Sequence, residues 1–118
     1  MNKDEMKLRT KQYALRIIKL VEKLPKTKTS EVIGRQLLRS GTSVGANYRS
    51  ACRAKSRADF ISKMGIVEEE ADESIYWMEL LVETGLINLG EISDLLDEGN
   101  QIVAITISSI RTTKKNKS

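Results

Sequence analysis

The chain of 118 residues has no histidine, one cysteine, one proline, and an aromatic set of three tyrosines, one tryptophan and one phenylalanine. Each shortage removes a class of fold or function. Without histidine there is no imidazole base, so Ser–His and Cys–His nucleophilic arrangements are excluded. The same absence removes the Glu-x-x-His pairs on which carboxylate-bridged metal bundles depend. Cys52 cannot form an intramolecular disulfide and cannot build a cysteine-based metal site alone, so a reducing compartment is expected. With Pro25 as the only proline, proline-rich linkers and turn-rich β-sandwiches are disfavoured. Tyr13, Tyr48, Phe60, Tyr76 and Trp77 are too few for the stacking platform of a single-strand binder. No run approaches the roughly 18–20 apolar residues of a membrane span. The charged segment Met1–Arg9 lacks a signal-peptide pattern. A cytoplasmic protein with no membrane partner, no catalytic centre, no cofactor and no metal is expected.

What is present is charge, and it is sorted along the chain. Residues 1–58 hold fifteen Lys or Arg against four Asp or Glu, while residues 59–110 hold one Lys against twelve acids. The last eight residues add Arg111, Lys114, Lys115 and Lys117. A basic half can lie against an acidic half within or between protomers, and a basic face can remain for an anionic partner.

Hydrophobic periodicity supplies the fold. Met6, Thr10, Tyr13, Ile17, Leu20 and Leu24 step by four and three, predicting helix 1 over about 3–24, stopped by Pro25. Thr27 or Thr29 is a candidate cap for helix 2, about 30–55, whose seam reads Ile33, Leu37, Ser40, Val44, Asn47, Ala51. Gly34, Gly41 and Gly45 lie beside that seam, and each costs roughly 1 kcal/mol of helix propensity. Close approach by a neighbouring helix is the compensation the spacing suggests. Ser56-Arg57-Ala58-Asp59 resembles a capping box and opens helix 3, about 57–85, closed by Gly85. Helix 4, about 89–112, ends in a β-branched run, Ile102–Ile110, and residues 113–118 form a tail expected to be disordered. The fold class is all-α, an antiparallel up-down-up-down four-helix bundle in one domain, 1–118.

Four groups of residues are candidates for function. Arg49, Arg53 and Arg57 follow at i+4 and form a basic ridge; with Lys55, Lys11 and Lys19 they are candidate contacts to RNA or DNA phosphates, or to the acidic helix 3 of the same or a neighbouring protomer. Arg39, Asn47, Glu70 and Glu73 are a candidate structural polar cluster, with Asn47 as its buried anchor. Tyr76 and Trp77 leave the helix 3 seam and are candidates for an interface with another copy. The acidic block Glu68–Glu73 reads as a solvated or salt-bridged face, since helices 1 and 2 place no matching acids.

Three segments resemble one family. Arg39-Ser40-Gly41-Thr42-Ser43-Val44-Gly45-Ala46-Asn47-Tyr48, Ser56-x-x-Asp59-Phe60-Ile61-x-Lys63, and Glu70-Ala71-x-Glu73-Ser74-x-Tyr76-Trp77-Met78-Glu79-Leu80-Leu81 look like motifs of the bacterial 23S rRNA intervening-sequence proteins, the S23 family. The likeness spans about Val32–Ile87 and departs at Ser50 and at Glu68-Glu69. It implies an antiparallel four-helix bundle, a homopentameric ring, and a reading frame linked to insertions in ribosomal RNA genes. It also implies kinship with the accessory proteins of diversity-generating retroelements, which are associated with nucleic acid and a reverse transcriptase. The expected function is that of a non-catalytic oligomeric protein associated with RNA. The alternative is a scaffold for a protein partner.

Overall fold

The computed structural model describes residues 1–116. Four helices, α1 Lys3–Glu22, α2 Lys28–Ala51, α3 Arg57–Glu83 and α4 Leu89–Lys115, form the expected up-down-up-down bundle, 52 × 22 × 20 Å. Consecutive helices pack along their lengths, while α1 and α4 touch only sparsely. No helix among the described residues is long and apolar enough to cross a membrane.

The boundaries move for local reasons. Leu24 precedes Pro25 and is biased out of the helical region, so α1 ends two residues early, at Glu22. Of the two candidate caps it is Thr27 that acts: its Oγ1 accepts from the Ser30 N–H at 3.1 Å, and α2 begins at Lys28 rather than at 30. The α2 helix closes at Ala51, four residues short of Lys55, through tightened bonds from Arg53 N–H to Ser50 and from Ala54 N–H to Ala51. The Asp59 carboxylate takes the Lys55 N–H at 2.9 Å, while Ser56 Oγ accepts from Asp59 N–H at 3.0 Å. The turn after α3 is a Schellman motif, with Leu86 N–H on Leu81 O, Gly85 N–H on Val82 O, and Gly85 at φ 77°. Residues 113–115, expected in a disordered tail, continue α4, where Lys114 and Lys115 complement the negative end of the helix dipole. Residues 117–118 of that tail lie outside the described residues.

The core runs the length of the bundle through Tyr13, Ile17, Leu37, Val44, Met64, Val67, Met78, Leu81 and Ile102, all essentially inaccessible. The buried hydroxyls of Thr10, Ser40 and Thr106 donate to carbonyls one turn back in their own helices, at 2.8–2.9 Å. That is how the β-branched end of α4 stays helical with threonine inside. The buried Ser30 Oγ has no hydrogen-bond partner among the described residues.

The seam of α2 differs from the expected one at Asn47. Tyr48 is the buried residue, and Asn47, half-buried, donates from Nδ2 to the Ser43 carbonyl of its own helix at 2.8 Å. A carboxamide that finds a carbonyl one turn back has no need of the core, whereas the Tyr48 ring gains from burial.

Candidate nucleic-acid interface

The approach of α1 to α2 starts from three glycines. A side chain at Gly41 would run into Ile17, and a Cβ at Gly45 would lie 3.2 Å from Thr10 Oγ1. One at Gly34 would lie 3.1 Å from Leu24 Cδ1. With glycine on the α2 side of the contact, long residues on either side of it become its rims. Toward one end the rims enclose a groove of about 440 Å³. Lys7, Leu8 and Lys11 come from α1, Arg49 from α2 and Arg53 from the turn that follows it, and the floor is Thr10, Ala14, Thr42, Gly45 and Ala46. No carboxylate lines it. Among the described residues, none of the four cations is in an ion pair.

Three of the six residues singled out as phosphate contacts, Lys11, Arg49 and Arg53, therefore converge in one groove. The others do not. Lys19 stands at the other end of α1, with Arg16 and Lys23, on a separate cleft of about 610 Å³ floored by Leu20, Leu86 and Leu95. Lys55 is exposed in the link after α2, and Arg57 opens α3. The expected continuous ridge Arg49–Arg53–Arg57 is thus broken, because α2 ends at Ala51, before its second and third members. Lys7 was missed. Its signal is the i+4 spacing to Lys11, but spacing alone does not say which side of α1 meets α2.

Other cations of the basic half are taken up by the acidic half. Arg39 pairs with Glu70 at 3.1 Å and with Glu73, and Trp77 Nε1 donates to Glu73 Oε2 at 3.0 Å. Asn47, expected as the buried anchor of this cluster, takes no part in it, and Trp77 stands there instead. Arg9 holds Glu98 of α4 through Nε and Nη2 at 2.5 and 2.8 Å, and reaches Gln101 Oε1 at 2.6 Å. The Glu98 hydrogen bond raises the Arg9 pKa further above its ordinary value. Asp59 is held below the usual carboxylate range, first by the Lys55 backbone N–H and then by Lys63. At the centre of the bundle the Tyr13 hydroxyl meets Ser74 Oγ at 2.7 Å, in space that Gly99 leaves open. Burial pushes the Tyr13 phenol up to about 12, and it raises that of Tyr48 too.

The aromatic pair lies away from the groove. Tyr76 is 52% exposed and stands edge-on to Trp77, ring centroids 5.1 Å apart; Trp77 is half-buried and packs on the core. Cys52, half-buried, is adjacent to Tyr48. Among the described residues no group of three acidic or cysteine side chains is arranged to hold a metal ion.

A family model described as 23S rRNA-intervening sequence protein matches residues 3–108. The chain is also similar to a crystal structure of a protein of unknown function from the S23 ribosomal protein family of Bacteroides thetaiotaomicron, with a TM-score of 0.87 and 39% identity, covering 94% of this chain and 99% of that one. No curated protein matches the sequence.

Proposed function

Because the chain belongs to the 23S rRNA-intervening sequence protein family, we propose that it is a non-catalytic, oligomeric protein that associates with RNA through the α1–α2 face. The observation that carries this reading is the groove where Lys7, Lys11, Arg49 and Arg53 meet no carboxylate. Cations left unpaired in a groove without acids raise the local concentration of polyanions and release counterions when they bind. A cytoplasmic location goes with this role. The kinship with retroelement accessory proteins that the family resemblance implies goes with it, since they too are associated with nucleic acid.

Self-association into a ring, a homopentamer by the resemblance, is the second part of the proposal. Its support is the charge sorting, which suits a head-to-tail contact between basic residues outside the groove, such as Arg16, Lys19 and Lys23, and the acidic α3–α4 face of the next protomer. Exposed Tyr76 beside Trp77 offers an aromatic anchor for it.

A gel shift at low salt is the direct test. Retardation of RNA that fades steeply with added salt is expected. If no RNA or DNA is retarded, the protein-scaffold alternative takes its place. Sedimentation giving a monomer at micromolar concentration and moderate salt would remove the ring.

A further inference from the structure

We infer that the α1–α2 groove grips the sugar-phosphate backbone of a nucleic-acid duplex, with Lys7 and Lys11 on one rim and Arg49 and Arg53 on the other. The inference rests on the nucleic-acid reading above and specifies its ligand. Lys7 and Lys11 are spaced i,i+4, about 6 Å along α1, and Arg49 near the end of α2 is followed by Arg53 in the turn beyond it, so each rim presents two charges. The glycine contacts fix the antiparallel register. Gly45 lies beside Thr10 and Gly41 beside Ile17, which brings Arg49 level with Lys7 across the groove. Lys7 and Arg49 therefore face each other across the groove, with Lys11 and Arg53 offset to opposite sides of that pair, an arrangement of positive charge that an anion between the rims relieves.

The floor says what the groove does not read. Its residues are small, and its two hydroxyls are already spent. Thr10 Oγ1 donates to Met6 O at 2.9 Å and Thr42 Oγ1 to Leu38 O at 2.7 Å. No aromatic side chain lines the groove: Tyr13 and Tyr48 are buried, and Tyr76 and Trp77 are elsewhere on α3. Single-strand binders draw roughly 1–3 kcal/mol per base from stacking on aromatic rings, and this groove has no ring to offer. What remains is attraction to phosphate. That attraction is larger for a duplex, which carries one charge per about 1.7 Å of axis against about 3.4 Å for one strand. The contacts are therefore independent of sequence, and a duplex is preferred over an unpaired strand.

The test is fluorescence anisotropy of the full chain with three labelled probes of equal length: an RNA duplex, a DNA duplex and oligouridine. Both duplexes are expected to bind on the order of tenfold or more tightly than oligouridine. The double variants Lys7→Gln/Lys11→Gln and Arg49→Gln/Arg53→Gln are each expected to lower duplex affinity on the order of tenfold near physiological salt. Each should also reduce the slope of log K against log salt by about 2, one unit per lost phosphate contact. Lys19→Gln/Lys23→Gln, on the other cleft, leaves affinity and slope unchanged, and circular dichroism melts confirm that all three variants fold. Oligouridine binding as well as or better than the duplexes overturns the duplex assignment. Losses that follow Lys19 and Lys23, or groove variants that bind like the parent, overturn the groove. A parent protein that binds none of the probes removes the nucleic-acid reading itself, which is a separate failure.

Discussion

The two helical hairpins of this bundle solve one packing problem in opposite ways. In α1–α2, glycine brings the backbones together: Gly41 lies against Ile17 and Gly45 against Thr10. In α3–α4, bulk fills most of the space, with Met64, Val67, Met78 and Leu81 buried together with Ile92, Leu95 and Ile102, and Gly99 is left for Ile75 and Tyr13 to press against. The charges divide along the same line. Acids of the second hairpin take Arg9 and Arg39 from the first, but Lys7, Lys11, Arg49 and Arg53 remain over a floor too shallow to cover them. The lesson is that residue charge and available charge differ. A basic half-sequence becomes a basic face only where the fold leaves its cations without acidic neighbours.

The comparison breaks most sharply at the glycines. Gly41→Val inserts branched bulk against fully buried Ile17 and is expected to cost about 3 kcal/mol, the upper range for overpacking. A urea denaturation series measures it, and an unchanged midpoint would show that α1 tolerates displacement from α2. Gly65 in α3 has open space around it, so Gly65→Ala is expected to have the opposite sign, a gain of about 0.5–1 kcal/mol from helix propensity.

The hydrogen bond from Tyr13 to Ser74 joins the two hairpins, and pH tests it. The native phenol titrates at about 12, against about 10 in the unfolded chain. The native state therefore keeps a proton that the unfolded state releases. This stability is fully present below pH about 10 and is lost as pH rises toward the native value, at up to about 1.4 kcal/mol per pH unit. Tyr13→Phe is expected to be about 1 kcal/mol less stable at neutral pH, through the lost hydrogen bond, yet to decline less in alkali. Urea midpoints for the two proteins should approach each other above pH about 10. Parallel curves would mean that Tyr13 does not carry the alkaline limb.

The fold was legible because four-three spacing survives in all four helices, and one proline and one glycine punctuate it at Pro25 and Gly85. Where the reading slipped, competing local chemistry decided. Thr27 and Thr29 are equivalent as letters, and only the position of Ser30 N–H distinguishes them. Small residues at Ser40 and Gly41 do not mark a face, so the seam could pass through Asn47 or Tyr48. Burial of the ring settled it. The Arg39–Glu70–Glu73 contacts follow from helices 2 and 3 being neighbours. The groove was only half legible. Its cations stand at visible i,i+4 spacings, but the pairing of the α1 face carrying Lys7 and Lys11 with Arg49 at the end of α2 and Arg53 in the turn after it is a tertiary fact.

The smallest expected effect is the sharpest discriminator, because it sets two arginines of one helix against each other. Arg39 is half-exposed and paired, so Arg39→Gln is expected to cost at most about 1 kcal/mol, typical of a partly solvated ion pair. It should leave nucleic-acid affinity close to that of the parent, because Glu70 and Glu73 already compete for this guanidinium. Arg49→Gln removes no ion pair and should shift stability by less than about 0.5 kcal/mol, as surface changes do. It should still lower the salt slope of binding by about 1. Thermal melts and anisotropy titrations of the two single variants give four numbers, and the proposal requires them to cross. If Arg39→Gln weakens binding as much as Arg49→Gln does, the α2–α3 face also contacts the polyanion, and the separation into a structural arginine and an available one fails.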